Sequence, residues 1–429
     1  MQAKINEYNN MKQKIGGEET EIGFVSDEWK RFRLGELVKY EKGRKPERLF
    51  EVHKVGYLPY LTAEYFRGGD AKQFVDVENE RSIARVSSQD IVLIWDGSKA
   101  GDVFTGLNGV LASTMVKIEP SEHLIKPFLY YFLKTKFIDL NEKTTGSTIP
   151  HVSKTVFENL TILCPPLPDQ QKIAKVLNTI QRAIEQQNKI IEAAKNLKRT
   201  LMQKLFTEGL RHTEFKETVI GQIPANWQAV QLGELVEVKG GKRLPKGHKF
   251  ADAPTQYPYI RLVDFRNNSI VKNSLKFLTP QDYQLLRRYT ISQDDIYISI
   301  AGTTGLVGII PGDLNGAILT ENAAKLVIKI KENLSKHFLM YFLASEDGQI
   351  QVQQQTAKAL QPKLALSRIR QIVIPLPPLQ EQQEIAHILS TVDKKREVEE
   401  RKKVTLRQLF RTMLSKLMTG EIRLKDVEV

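Results

Sequence analysis

The chain has 429 residues, 41% hydrophobic and 26% charged, which is an ordinary globular composition and predicts roughly two to four domains. No apolar run reaches the roughly 18 residues of a membrane span, the polar first 17 residues lack a secretion-signal core, and one cysteine allows no internal disulfide, so we expect a cytoplasmic protein. The net charge of +13 predicts a polyanionic partner, most often nucleic acid.

The first motif of the chain occurs twice. Residues 19–23 read Glu-Thr-Glu-Ile-Gly and residues 34–38 read Leu-Gly-Glu-Leu-Val. In the second copy, 198 residues further on, the first segment reads Glu-Thr-Val-Ile-Gly and the second is identical. A second motif, Pro-Leu-x-x-Gln-Gln-x-Ile-Ala, begins at Pro166 and again at Pro378. A solenoid repeat has roughly 20 to 50 residues. The longer period here indicates a duplicated domain with its connector.

Each copy begins with a glycine-punctuated segment, roughly residues 19–165 and 217–376. Short β-type runs alternate in it with a short helical pattern, which predicts a compact α+β globule. The predicted strands lie at residues 90–94, 115–118, 295–300 and 325–330, and the predicted helices at 128–133 and 338–343.

Apolar residues of the shared motifs are predicted to form the cores of the two globules. Cys164 stands where the second copy has Leu376, which indicates a small buried side chain rather than a reactive thiol. The other predicted core residues are Trp29, Leu34, Leu37, Trp227, Leu232 and Leu235.

Each copy ends in a predicted long helix, at residues 169–208 and 381–420. Both helices follow a proline-rich stop, and their apolar residues recur in a 4-3 rhythm that indicates one buried stripe on each. The stripes contain Ile173, Leu177, Ile180, Ile184, Ile191, Ala194, Leu201 and Leu205 in the first helix, and Ile385, Leu389, Val392, Leu406, Phe410, Met413 and Leu417 in the second.

Each stripe needs a partner, and the nearest candidate is the other long helix of the chain, paired antiparallel. Packing of each helix on its own globule is the alternative. Residues 393–403 contain ten charged residues and Val398. They form either a solvated face or a docking surface for another subunit.

The order of these motifs resembles the specificity subunits of Type I restriction-modification enzymes. The resemblance extends from residue 19 to residue 419, and its strongest part is the signature Leu-x-[Asp/Glu]-Gln-Gln-x-Ile-Ala, which occurs at residues 167–174 and 379–386. It implies an α+β fold with two similar target-recognition domains, separated by two long helices that pair as an antiparallel coiled coil. The expected limits are 1–165 for the first recognition domain with its N-terminal extension, 166–210 for the first spacer helix, 211–376 for the second domain, and 377–429 for the second helix and tail.

The resemblance also implies a function. Each recognition domain reads one half of a bipartite target in double-stranded DNA, and the helices carry binding surfaces for methyltransferase (modification) subunits, of which we expect two. The subunit has no chemistry of its own. It directs adenine methylation by these partners and, with restriction (endonuclease/translocase) subunits, ATP-dependent cleavage. We therefore expect a protein that is not an enzyme and needs no cofactor, metal or membrane.

Catalytic motifs are missing from the sequence. It has no Asn-Pro-Pro-Tyr/Phe or Asp-Pro-Pro-Tyr, no phosphate loop and no His-Glu-x-x-His. Asp393 with residues 400–402 mimics a nuclease motif, but chance explains this on so charged a helix. The alternatives are a fused methylase-nuclease, a coiled-coil scaffold with two protein-binding globules, and a Type IIB-like specificity subunit.

Three loops that recur in both copies carry the residue types that contact DNA. Lys and Arg neutralise phosphates, and Arg, Lys, Asn, Gln or hydroxyl groups read base edges. Glycine in the first loop is expected to let the backbone approach the duplex. Surface charge and simple strand-ending turns are the alternative interpretations. The first loop comprises residues 42–45 and 239–243, the second 95–99 and 301–304, and the third 143–154 and 356–363.

Further arginines near Tyr60 and Tyr259 complete the candidate DNA-binding set. In the first copy it contains Lys42, Arg44, Lys45, Arg67, Ser98, Lys99, Thr145, Ser147, Thr148, His151 and Lys154. In the second it contains Lys242, Arg243, Arg261, Arg266, Thr303, Thr304, Lys358, Gln361 and Lys363.

Overall fold

The computed structural model describes residues 17–20, 23–26, 28–80, 83–146, 149–356 and 362–424, with the backbone alone for residues 17–20 and 23–26. The chain divides into two compact units. Unit 1 takes its residues from Met1–Asn188 and Lys402–Val429, and unit 2 is Lys189–Arg401. Each unit combines one globule with part of each long helix.

Unit 1 is built on two four-stranded sheets. One sheet is antiparallel in the order β4-β11-β8-β9, and the other has the order β6-β5-β10-β7 with β5 and β10 parallel. The strands are β1 Gly17–Thr20, β2 Gly23–Ser26, β3 Lys30–Arg33, β4 Val38–Lys42, β5 Tyr57–Leu61, β6 Phe74–Asp76, β7 Arg85–Val86, β8 Ile91–Ile94, β9 Val103–Thr105, β10 Gly109–Leu111, β11 Met115–Pro120 and β12 Thr161–Cys164. The helices are α1 Leu34–Leu37, α2 Ala63–Phe66, α3 Lys126–Thr135, α4 Phe137–Glu142, α5 Lys154–Glu158 and α6 Leu167–Thr207.

Unit 2 repeats this plan, with sheets of the order β16-β25-β22-β23 and β20-β17-β24-β21. Its strands are β13 Phe215–Thr218, β14 Gly221–Pro224, β15 Gln228–Gln231, β16 Val236–Gly240, β17 Pro258–Ile260, β18 Phe265–Arg266, β19 Ser269–Ile270, β20 Lys276–Phe277, β21 Thr290–Ile291, β22 Ile296–Ser299, β23 Val307–Ile309, β24 Ala317–Leu319, β25 Ala323–Ile328 and β26 Val373–Leu376. Its helices are α7 Leu232–Leu235, α8 Pro280–Leu286, α9 Lys336–Ala344, α10 Glu346–Gln355, α11 Leu366–Ile369 and α12 Leu379–Met418. Short 3-10 turns occupy Leu262–Asp264, Arg287–Tyr289 and Gly312–Leu314.

The predicted strands and short helices are confirmed within a few residues, because the central strands are continuous apolar runs. All four residues of β8 and all four of β22 are buried. Trp29 and Trp227 are buried, as predicted, and so is Cys164, whose burial raises the pKa of its thiol. Leu235 is a correction: it is half-buried and packs against the edge of the core.

The predicted long helices are confirmed as α6 and α12, of 41 and 40 residues. In unit 2 they run antiparallel, since Lys198 of α6 pairs with Asp393 of α12 while Leu205 shares a core with Ile385. In unit 1 the Lys172 ammonium donates to the Leu424 carbonyl at 3.2 Å. None of the apolar residues predicted for the two stripes is exposed, which agrees with a paired rather than a solvated face.

The first glutamine of each Gln-Gln pair fixes the start of a long helix to its globule. Gln170 and Gln382 are completely buried. The Gln170 amide donates to the Pro165 and His123 carbonyls at 2.9 and 2.8 Å and accepts from the Ile125 N–H at 3.0 Å. Gln382 makes the equivalent contacts, including one from the Ser335 N–H at 2.8 Å. A buried amide has to satisfy its donors and acceptors, which explains the residue type at this position of both motifs.

Candidate nucleic-acid interface

In unit 1 the three predicted loops meet at Asp96. Its Oδ2 lies 2.9 Å from the Lys42 ammonium of the first loop, and its Oδ1 lies 2.7 Å from Nδ1 of His151 in the third. Asp96 itself belongs to the second loop, directly after β8 and Trp95. A single carboxylate thus joins residues that are far apart in the sequence.

Backbone hydrogen bonds hold the same loops together. The Gly97 N–H donates to the Pro150 carbonyl and the Val152 N–H to the Trp95 carbonyl, both at 2.8 Å. Thr145 and His151 exchange bonds in both directions at 2.9 and 2.8 Å. Gly97 has a φ of 115°, in the left-handed region that favours glycine. The second and third loops therefore form one framework.

The first-loop glycine has a packing role in each unit. A Cβ atom at Gly43 would lie 2.2 Å from the Ala112 carbonyl oxygen, and one at Gly241 would lie 2.1 Å from that of Thr320. Side chains are therefore excluded because the loop lies against its own globule. Within each unit, this glycine serves internal packing.

Unit 2 closes its loops with the same backbone pattern. Ala301 of the second loop pairs with Lys363 of the third, and the Leu364 N–H donates to the Ile300 carbonyl at 2.9 Å. Ala301 occupies the position of Asp96, so this pairing has no carboxylate at its centre.

A carboxylate occurs at another place in unit 2. Glu321 Oε1 accepts from the Arg243 Nε of the first loop at 2.6 Å, and its Oε2 accepts from the Thr320 hydroxyl at 2.9 Å. Although burial raises it, these hydrogen bonds hold the pKa of Glu321 below its ordinary value. The Glu321 hydrogen bond raises the pKa of Arg243. The pair is ionised at neutral pH.

The additional arginines differ in how firmly they are held. The Arg67 guanidinium lies 3.3 Å from Asp102, beside the second loop of unit 1. Arg261 donates through Nε and Nη2 to the buried Asp264 at 3.3 and 3.2 Å. Arg266 is exposed at the rim of a cavity of about 340 Å³. Arg266 is thus more accessible than Arg261.

Most candidate side chains are exposed. His151, Arg261 and Thr304 are half-buried, and Ser147, Thr148, Lys358 and Gln361 lie outside the described residues. The exposed ones are Lys42, Arg44, Lys45, Arg67, Ser98, Lys99, Thr145, Lys154, Lys242, Arg243, Arg266, Thr303 and Lys363.

Sequence reasoning did not select Asp96 or Glu321, because it chose Lys, Arg, His, Gln and hydroxyl side chains and no carboxylates. The Asp-Gly pair after a buried strand was the available signal for Asp96. Among the described residues, no His, Cys, Asp or Glu side chains form a group of three or more that could hold a metal ion. Over the same part of the chain, no helix is both long and apolar enough to cross a membrane.

The duplicated domain matches a known family. Residues 26–196 and 224–408 each match the Type I restriction modification DNA specificity domain. Two such domains in one chain define the specificity subunits of Type I restriction-modification enzymes, and the chain belongs to this family.

Relatives of similar length carry the same description. The chain is 36% identical over 412 residues to the Type I restriction enzyme MjaVIII specificity subunit of Methanocaldococcus jannaschii, covering 94% of this chain and 95% of the relative. It is 22% identical over 433 residues to the MjaIX specificity subunit of the same organism, covering 95% and 97%.

Two solved structures have a similar fold. The S subunit of the Type I restriction-modification system from M. genitalium matches with a TM-score of 0.59 at 18% identity, covering 91% of this chain and 96% of that one. A chain from a study of complex assembly and conformational transition of the type I R-M system matches with a TM-score of 0.56 at 17% identity, covering 93% and 99%. Both agree with the predicted α+β fold with two long helices.

Proposed function

We propose that this chain reads a bipartite sequence in double-stranded DNA, one half with each unit, for a Type I restriction-modification complex. The observation that carries the proposal is the pair of loop clusters. Both have the same backbone framework, yet their exposed side chains and charges differ. A protein that recognises two different half-sites with two copies of one domain needs a shared framework and different exposed side chains.

Apart from Lys42 and Arg243, which are paired with Asp96 and Glu321, the exposed cations of the loops act as phosphate contacts, because Lys and Arg beside a duplex release its condensed counterions. The net charge of +13 supports the same assignment. The exposed Arg266, beside Asn267 and Asn268 on the tight β18–β19 hairpin, is the best base-reading candidate outside the loops. Arginine and asparagine are suited to guanine and adenine edges in the major groove.

The chain performs no methyl transfer or hydrolysis by itself. It works in the cytoplasm with methyltransferase subunits, two in the complete complex, and with restriction subunits that cleave DNA. Recombinant chain assayed alone should leave labelled cofactor and DNA unchanged. Methylated or cut duplex from a pure preparation would show that the chain is an enzyme.

The first test measures DNA binding. Fluorescence anisotropy gives the affinity of the full chain for random-sequence duplex over a range of salt concentrations. The logarithm of the affinity should fall by about 0.9 per phosphate contact for each tenfold increase in salt. Lys242→Gln, in the first loop of unit 2, should reduce this slope by about one contact. Lys331→Gln removes the same charge beyond the opposite end of β25 and should leave the slope unchanged. Equal slopes for both variants would place the DNA on another surface.

Mapping methylated adenines in a host that carries this chain with its methyltransferase subunit would define the target. Replacing residues 217–376 by the same segment of a relative should then change one half of the target. A change in both halves would mean that the units share one reading surface.

A further inference from the structure

The structure assigns a base-reading role to the carboxylates Asp96 and Glu321, which we infer accept a hydrogen bond from the amino group of a cytosine in the major groove. This inference rests on the proposed DNA reading and adds the residues that select sequence. Neither residue is a cation or a hydroxyl, so charge-based selection of DNA contacts passes over both.

Asp96 is not needed to close the loops of unit 1. Its own N–H donates to the Thr114 carbonyl at 3.0 Å, and the Gly97 and Val152 amides hold the third loop. In unit 2 the same position is Ala301, whose N–H donates to the Asn322 carbonyl at 3.3 Å. The framework therefore forms with alanine at this position.

The same comparison applies to Glu321, with the two units exchanged: here unit 1 forms the framework without the carboxylate. The carbonyl that faces Gly241 belongs to Thr320, and the one that faces Gly43 belongs to Ala112. The residue after Ala112 is Ser113, so unit 1 forms its framework with serine where unit 2 has Glu321. Each unit thus carries one carboxylate at a position where the other has a neutral residue.

Both carboxylates are placed among the cations of the first loop. The Asp96 side chain is 12% exposed and that of Glu321 is 27% exposed. Asp96 is paired with Lys42 and Glu321 with Arg243, and each oxygen of a carboxylate can accept more than one hydrogen bond. A carboxylate repels phosphates and suits the cytosine N4 amino group among base edges. Such a residue lowers binding to unrelated DNA and favours one base.

The test is selection from a random duplex library by the full chain, sequenced to give the bound motif. Asp96→Asn and Glu321→Gln should each make one cytosine position degenerate, in different halves of the motif, and leave the remaining positions unchanged. Replacing that cytosine should weaken wild-type binding about fivefold to 150-fold, and binding by the variant less than about twofold.

Affinity for random duplex provides the second readout. Asp96→Asn frees the Lys42 ammonium for a phosphate, so the affinity should rise about threefold to tenfold and the salt slope should steepen by about 0.9. The double variant Asp96→Asn with Lys42→Gln should lose this gain. Asp294→Asn removes the same negative charge from a pair with Lys331 at 2.7 Å, away from the loops, and should change neither motif nor slope.

Unchanged motifs in both carboxylate variants would overturn the inference while leaving DNA reading intact. A wild-type chain that selects no motif would instead refute the proposed function. Should Asp96→Asn fold poorly, Asp96→Ala replaces it, because unit 2 forms its framework with alanine there. Loss of binding with an unchanged motif in that variant would reduce Asp96 to a stabilising residue.

Discussion

A tyrosine faces the long helices in both units, and its surroundings differ sharply between them. In unit 1 the Tyr131 hydroxyl donates to Asn178 at 2.7 Å, and its ring centroid lies 6.0 Å from that of Phe410. In unit 2 the Tyr341 hydroxyl donates to Asp393 at 2.9 Å. Both copies therefore have a tyrosine at this position, but its hydrogen-bond acceptor is neutral in unit 1 and charged in unit 2.

The charged version forms a half-buried network, whose three side chains are 12–23% exposed. The Lys198 ammonium lies 2.7 Å from Asp393 and 4.9 Å from the ring centroid of Tyr341, and Arg396 lies 3.4 Å from the same carboxylate. Burial lowers the pKa of Lys198, against the effect of Asp393. A buried charge depends on its partner. The two units should therefore respond very differently to loss of the residue that accepts from the tyrosine.

The largest expected effect is in unit 2. Asp393→Ala should lower the free energy of unfolding by about 3–5 kcal/mol, because the Lys198 side chain, which is only 12% exposed, would lose its anion. Asn178→Ala removes a neutral acceptor in unit 1 and should cost about 1 kcal/mol. Urea titration followed by circular dichroism measures both. Glu397→Ala, from a surface pair with Arg401, should change stability by less than about 1 kcal/mol. Equal losses for Asp393 and Asn178 would show that charge is not the difference.

The next prediction concerns what the units share. Gln170→Ala and Gln382→Ala should each cost about 2–3 kcal/mol, because each change leaves a buried N–H and buried carbonyls without a partner. The neighbouring Gln171 and Gln383 are exposed and provide matched controls, with an expected change below about 0.5 kcal/mol. The same titration measures all four. Unequal losses for the two buried glutamines would mean that one motif has lost its role.

A smaller effect is expected when the unit 2 network is replaced by its unit 1 counterpart. Lys198 and Asp393 correspond to Phe410 and Gln181 in the repeat. The double variant Lys198→Phe with Asp393→Gln should lie within about 1.5 kcal/mol of the wild type, since both charges are removed together and the glutamine amide can still accept the hydrogen bond from Tyr341. A double variant as unstable as Asp393→Ala would show that Tyr341 requires the charged partner.

The sequence predicts the framework well because apolar rhythm and the repeated glutamine motif are local signals. The fully buried strands β8 and β22 and the helices α6 and α12 follow from such patterns. The centre of the candidate site depends on a contact between Asp96 and His151, 55 residues apart, which local patterns do not encode. Gly43 shows the same limit: a loop glycine fits close approach to DNA as well as to its own backbone. Leu235 was predicted to be buried but is only half-buried, although Leu37 is buried at the same position of the same motif. The residues that surround the motif differ between the units, and the motif alone does not encode them.

The last and smallest effect is a pH dependence that belongs to unit 1. Burial raises the pKa of Asp90, but hydrogen bonds from Lys126, at 2.8 Å, and from Ser87 outweigh this and hold it at about 2. Asp295 is the residue of unit 2 that corresponds to Asp90. Its carboxylate lies 3.9 Å from the Lys325 ammonium, which is farther than the 2.8 Å between Asp90 and Lys126.

An unfolded aspartate has a pKa of about 3.9, so protons bind the unfolded chain more readily. The stabilisation from Asp90 is therefore complete above about pH 4 and is lost as the pH falls towards 2. Asp90→Asn should lower the free energy of unfolding by about 1 kcal/mol at neutral pH. At pH 2 the variant and the wild type should have nearly equal stability. Urea titrations across this range measure the difference, and Asn replacement of the exposed Asp252 is the control. A loss for Asp90→Asn that does not change between pH 4 and 2 would show that the carboxylate acts through its shape rather than its charge.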